Sequence, residues 1–269
     1  MNQNVMVWVN ITTIIETAYR RVVPLYTFDE RGRPYLLASA VPFQSGPHRF
    51  LITAAHCAFE KGEPLPLFVY GESKLHALIE LRGAWEHQQG QPDLDIAVIR
   101  LSERCADDLQ ARHWFSSPED VSVVKPKTPG LHYLIAGYPA SRNKRRPVQF
   151  GLPSRAVALI TGDICSVNTV QGVNKTEEDH FAIAFAHKTL DTPGGGVFQV
   201  PPPYGMSGGG VWRVEIDTVR NLVGTPSLVG IGIEYHKAQK TFVATRVQAA
   251  APLAVDLVDP STPITVLAL

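Results

Sequence analysis

The chain has little cysteine: Cys57, Cys105 and Cys165 are the three in 269 residues, and no Cys-x-x-Cys pair occurs. That excludes a thioredoxin-like redox motif and a cysteine-built zinc site, and three widely spaced thiols do not make a disulfide framework. An excess of charge is missing too, since 25 basic residues balance 25 acidic ones. There is thus no global electrostatic ground for nucleic acid or an anionic membrane surface as a partner. No apolar run is long enough to cross a bilayer. Met1–Asn10 also lacks the basic start and small-residue cleavage site of an export signal. With free thiols and no such signal the chain is expected in a reducing cytoplasm, where the sequons at Asn10 and Asn174 carry no meaning. No internal repeat is found.

What is present is turn chemistry and short strands. Glycine and proline stand at 21 each, which suits an all-β protein with many turns. Ile11, Ile14, Ile15, Ala18 and Val22 recur at helical spacing, so a short amphipathic helix is expected over 10–22, with Thr13 and Glu16 as a capping box. Strands are expected at 22–28, 35–43 and 50–53, the first two separated by the turn-like Asp29–Arg33. Further strand-like stretches cover 65–81 and 96–101, and 102–115 reads as helical. A proline-punctuated link covers 118–129. Beyond it strands recur at 131–137, 155–161, 181–185, 211–216, 228–233 and 241–245, followed by a short helix near 247–251. Short strands at even spacing point to barrels or a sandwich rather than to alternating β and α units. One large domain of two halves is expected, 22–117 and 130–247, with a tail over 248–269.

The stretch that organises the rest is Pro202 to Trp212, PPYGMSGGGVW. Glycines on both sides of Ser207 allow turns closed to other residues and let another molecule approach the hydroxyl. Backbone N–H groups on such a turn suit a developing oxyanion. Acyl transfer also needs a base near neutral pKa and a group that orients it. His56 and Asp95 each stand at the edge of an apolar strand and meet those needs, and Asp93, two residues earlier on the same face of an extended chain, competes for the second role.

The local words carry more than the residue types. Leu51-Ile52-Thr53-Ala54-Ala55-His56-Cys57 resembles the histidine motif of the chymotrypsin/trypsin-like serine peptidases. Asp95-Ile96-Ala97-Val98-Ile99-Arg100-Leu101 resembles their aspartate motif, and Gly205-Met206-Ser207-Gly208-Gly209 their serine motif, in the family's order. Leu228–Ile233 is similar to the strand that follows the nucleophile loop, so the resemblance spans about 22–247. It implies a fold of two antiparallel six-stranded β-barrels with the site in the cleft between them. Ser207 is then the nucleophile, His56 the general base and acid, and Asp95 the orienting carboxylate, favoured over Asp93 because it directly precedes the apolar run. The amides of Gly205 and Ser207 form the oxyanion hole. No metal and no cofactor is implied, and the partners are protein or peptide substrates.

Departures from the family pattern are informative. Met206 replaces the aspartate that in animal trypsins pairs with a newly cut N-terminus, and no Ile-Val-Gly-Gly-like start occurs, so no zymogen cleavage is expected. Cys57 lacks an upstream partner, so the family's stapling disulfide is missing. These features match disulfide-free, bacterial-type members. Lack of a regulatory domain suggests control by a partner protein, and a role in a defence or cell-suicide system. The resemblance puts Pro201 at the base of the primary pocket and Tyr204, Gly232, Glu234, Tyr235 and His236 along the cleft. Glu234 reads either as a selector of basic side chains or as a solvated rim charge. Arg142-Asn143-Lys144-Arg145-Arg146 reads as an exposed loop, an acidic-partner contact or a self-cleavage site.

Two other readings compete. A Gly-x-Ser-x-Gly word also describes the strand-to-helix elbow of α/β-hydrolases, with Asp217 and His236 following in order. Three glycines after the serine make a poor helix start, at about 1 kcal/mol each. The second alternative is a catalytically silent, peptidase-like binding module.

Overall fold

A computed structural model describes residues 9–70, 78–81, 85–87, 92–125, 130–143, 156–161, 164–185, 189–191, 197–217 and 222–257. Two antiparallel sheets dominate it. The first is built from β1 (Val23–Phe28), β2 (Pro34–Ser45), β3 (His48–Ala54), β4 (Phe68–Tyr70), β5 (Leu78–Glu80), β6 (Trp85–His87) and β7 (Ile96–Arg100). Its order is β5-β4-β1-β2-β3-β7-β6. The two end strands, β5 and β6, are successive pieces of the segment 78–87, so the sheet returns on itself as six strands do in a barrel.

The second sheet uses β8 (Leu131–Gly137), β9 (Val157–Thr161), β10 (His180–Ala184), β11 (Gly210–Asp217), β12 (Ser227–His236) and β13 (Thr241–Arg246), ordered β9-β8-β11-β12-β13-β10. Its ends meet through the Ile164–Ile183 bridge and the Thr161 hydroxyl, which donates to the Ala184 carbonyl at 3.2 Å. The short pieces Val9–Asn10 and Leu222–Val223 lengthen this sheet beyond its six barrel strands.

Why the strands read as continuous apolar runs is visible in the core. Leu51, Ala97 and Ile99 point into the first barrel, whereas their neighbours Phe50, Ile52, Ile96 and Val98 join a shared cluster with Leu134, Trp212 and Leu228 of the second barrel. Tyr133, Ile135, Phe181, Val211 and Phe242 fill the second barrel. A strand between a barrel interior and another barrel is buried on both faces, so the period-2 alternation disappears. Each buried Leu, Ile, Val or Phe among them contributes about 1.5–3 kcal/mol on leaving water.

Helices are few: α1 (Ile11–Arg20), α2 (Ala55–Ala58), α3 (Glu103–Gln110), α4 (Val167–Gln171) and α5 (Ala250–Asp256). Among the described residues no helix is long and apolar enough to cross a membrane. The periodicity of α1 is realised with Ile14 and Ala18 buried. Its start is a correction: the helix begins at Ile11, so Thr13 lies inside it and its carbonyl accepts from the Thr17 hydroxyl instead of Thr13 capping a turn. In α3, the Ser102 hydroxyl accepts from the Cys105 amide and fixes the start. The turn over 29–33 closes on Asp29, whose carboxylate accepts from the Arg31 and Arg33 amides. The strand expected over 65–81 falls partly on 71–77, outside the described residues, as do Lys144, Arg145 and Arg146 of the basic loop.

Candidate active site

The histidine and aspartate meet because of sheet register. β7 pairs with β3 so that Ile96 faces Ala54, and the next residues outward are Asp95 on one chain and the start of α2 on the other. Asp95 Oδ2 lies 2.6 Å from His56 Nδ1, and Oδ1 accepts the His56 amide at 2.8 Å. With both carboxylate oxygens engaged, the imidazole is held in plane and orientation. A carboxylate only accepts, so Nδ1 carries a proton and Nε2 is the nitrogen left for chemistry. Asp95 takes a left-handed backbone, φ +47°, unusual for a side-chain-bearing residue and typical of functional positions. The Asp95 hydrogen bond, then one to the Cys57 side chain, raise the His56 pKa above its ordinary value against the opposing effect of burial.

Asp93 plays no such part. Its side chain is exposed, and its carbonyl lies 2.8 Å from His180 Nε2 and accepts from Lys175 Nζ at 3.2 Å. The Thr245 hydroxyl donates to the Leu94 carbonyl. The turn that presents Asp95 is therefore clasped from behind by three side chains of the second barrel.

Ser207 approaches from that second barrel on the loop between Val200 and β11. Gly205 and Gly208 have φ +88° and +82°, values that side chains rarely adopt. At Gly208 space is closed as well: a Cβ would lie 1.9 Å from the Ser39 carbonyl oxygen and 2.2 Å from Thr53 Oγ1. Among the described residues neither the Gly205 nor the Ser207 amide donates to a protein acceptor. The Ser207 hydroxyl donates to the Ile233 carbonyl at 3.0 Å. That carbonyl is aimed by a bulge, because β12 pairs Gly232 with Ala244 and Glu234 with Val243, leaving Ile233 as the extra residue.

The residues expected along the cleft behave differently from one another. Pro201 is buried and Tyr204 is 62% exposed. Gly232 runs against an aromatic ring, since a Cβ there would lie 2.4 Å from Phe242 Cε1. Tyr235 stacks edge-on to Phe185 at 5.4 Å. Glu234 is engaged: Lys175 Nζ lies 3.2 Å from Oε1 and His236 Nε2 lies 3.1 Å from Oε2. Cys57 and Cys105 are free and buried. Among the described residues no cluster of His, Cys, Asp or Glu is arranged to hold a metal ion.

No protein-family model and no curated protein matches the sequence. Solved structures do match. Over 89% of this chain and 94% of the other, it is similar to the scabies mite inactivated protease paralogue S-I1, at 15% identity and a TM-score of 0.54. The fold is that of the trypsin-like serine peptidases. It is also similar to a Glu endopeptidase solved in complex with MPD (13% identity, TM-score 0.48, 91% of this chain and 92% of that one). Kallikrein-related peptidase 10 is a third (16% identity, TM-score 0.49, 89% and 96%). In a trypsin-like frame the chain after the serine continues into a strand, β11, which removes the α/β-hydrolase elbow and with it Asp217 and His236 as partners of Ser207.

Sequence reasoning missed Ser39, Thr53, Lys175, His180 and Thr245, which hold the site's loops. Thr53 lies within the histidine motif. Ser39 is a polar residue inside the apolar strand β2, fully buried, and that mismatch was the available signal.

Proposed function

We propose that the chain is a serine endopeptidase acting through Ser207, His56 and Asp95 on protein or peptide substrates. The observation that carries the reading is the two-point clasp of His56 by Asp95, together with a glycine-bounded serine loop that has two undonated amides. In the reaction the Ser207 hydroxyl turns from the Ile233 carbonyl toward His56 Nε2. Nε2 takes the proton as Oγ attacks the scissile carbonyl, and Asp95 stabilises the imidazolium. The Gly205 and Ser207 amides receive the oxyanion. The imidazolium then protonates the leaving amine, and water, activated by the same nitrogen, hydrolyses the acyl-enzyme. Glu234, engaged by Lys175 and His236, is a poor selector of basic side chains; the cleft is read instead as apolar and aromatic, with Tyr204 at its rim. The free thiol at Cys57 fits a reducing compartment, and the buried, apolar Met206 fits a peptidase that needs no activating cleavage.

The second reading is a silent binding module. It is favoured by the Ser207 hydroxyl resting on Ile233 rather than on His56, and by a structural neighbour described as an inactivated protease paralogue. Fluorophosphonate labelling separates the two. The peptidase reading expects labelling of the wild type and none of Ser207→Ala or His56→Ala, with Ser207→Ala also lowering peptide turnover about 10⁶-fold at an unchanged melting temperature. A folded wild type that neither labels nor cleaves a peptide library, alone or with candidate partner proteins added, is the binding module.

A further inference from the structure

We propose that Ser39 is the positioning residue that locks the oxyanion loop in its receptive form, an inference that rests on the peptidase reading for its catalytic meaning. Ser39 lies on β2 of the first barrel and is fully buried. Its backbone and side chain make four hydrogen bonds. Its amide donates to the Ser207 carbonyl at 2.8 Å, its hydroxyl donates to the Gly205 carbonyl at 3.0 Å, and that hydroxyl accepts from the Tyr138 amide at 2.8 Å. Its carbonyl accepts from the Thr53 hydroxyl at 2.7 Å.

The consequence follows from peptide planarity. In a trans peptide the N–H points opposite to the C=O of the same unit, so holding a carbonyl aims the next amide. The Tyr204 carbonyl is held by the Ala140 amide at 2.6 Å and the Met206 carbonyl by the Gly209 amide at 2.8 Å. Their partner amides belong to Gly205 and Ser207, the two that stay undonated. The carbonyls between and after them, of Gly205 and Ser207, are both held by Ser39. Flipping any unit of this loop therefore breaks a bond, and two of the four locks come from one residue. Glycine at 205, at φ +88°, leaves the loop free to flip where a larger residue would resist. Met206 is buried and apolar, so its side chain brings no charge to hold the loop. The Ser39 hydroxyl supplies the restraint with neutral hydrogen bonds.

The test is Ser39→Ala in the full chain, read in two ways. Fluorophosphonate inactivation, analysed for a maximal rate and a half-saturating concentration, is expected to lose about 10–100-fold in the rate with the concentration unchanged, since one lost oxyanion donor costs 10²–10³-fold and a loosened one less. Amide exchange at Met206 and Gly208, which share peptide units with the two carbonyls that Ser39 holds and donate to the Pro203 and Gly232 carbonyls, is expected to quicken about 10-fold relative to β3, whose amides report global stability. Unchanged local exchange overturns the lock whether or not the wild type labels. A reactive wild type with an equally fast Ser39→Ala also overturns it. An inert wild type whose loop exchange quickens in the variant supports the lock independently of the peptidase reading.

Discussion

The two halves of the site are assembled by different physics. His56 and Asp95 are brought together by one β-ladder, with Ile96 opposite Ala54, and one carboxylate then fixes both the amide and the ring of the histidine. The Ser207 loop has no such internal template. Its carbonyls are held in part by Ser39 from the other barrel, and its closest approach is the glycine at 208 pressed on the Ser39 carbonyl and Thr53 hydroxyl. A pair set by register forms whenever the first barrel forms. A loop set by docking is only as well placed as the packing between barrels, which makes it the half more sensitive to changes at that interface. The Asp95 turn is clasped across the same interface by Thr245, His180 and Lys175, yet those contacts reach backbone carbonyls behind the aspartate and leave its carboxylate to His56.

This contrast is open to attack at three points. The largest effect is expected from Asp95→Asn, which removes the orienting charge and lowers turnover on the order of 10⁴-fold. The same change moves a titration. Because Asp95 raises the His56 pKa, the protonated ring stabilises the fold fully below about pH 6.5, and that stability is lost as pH climbs through the raised value. The labelling rate, which needs the neutral ring, rises over the same alkaline range. In Asp95→Asn the midpoint should fall toward the ordinary histidine value, read from the ring protons by NMR and from the pH profile of labelling; an unmoved midpoint would show that Asp95 does not set it.

Next comes Gly208→Ala. It combines a positive φ with a Cβ inside contact distance of backbone, and should cost about 3 kcal/mol in urea unfolding. The His56 midpoint should stay where it is, since the His56–Asp95 pair lies on the other half. A shift of that midpoint would mean that the halves are not independent. The smallest effect is expected from Thr245→Val, which leaves the buried Leu94 carbonyl without its donor. A loss of about 1 kcal/mol in stability with labelling within a few-fold of wild type is the expected pattern. A drop of 100-fold would show that the aspartate turn also depends on docking.

The legibility of the site follows the same division. The words 51–57, 95–101 and 205–209 are readable because each is a local device, a strand end or a glycine turn whose chemistry depends on near neighbours. Choosing Asp95 over Asp93 needed more, since both sit on one face in an extended chain. The structure turns one carboxylate to His56 and leaves the other exposed, because the chain at 92–94 leaves the strand in a helical turn and Asp95 adopts a left-handed backbone. The capping box at Thr13 misled because the helix starts at Ile11, three residues before the Ile14 start that a Thr13 cap would set.

By itself the sequence carried a texture of many short strands and the need for glycine around Ser207, which rest on short-range periodicity and backbone sterics, and three motifs, which rest on their resemblance to the trypsin-like peptidases. Only the tertiary structure decided what holds the oxyanion loop. The bonds of Ser39 to Tyr138 and Gly205 span 99 and 166 residues of chain, and no pattern within a strand announces which carbonyl will lie across an interface from a buried hydroxyl. Hydrogen bonds between barrels are fixed by how the two cores meet, and that is a property of packing rather than of any one stretch of chain.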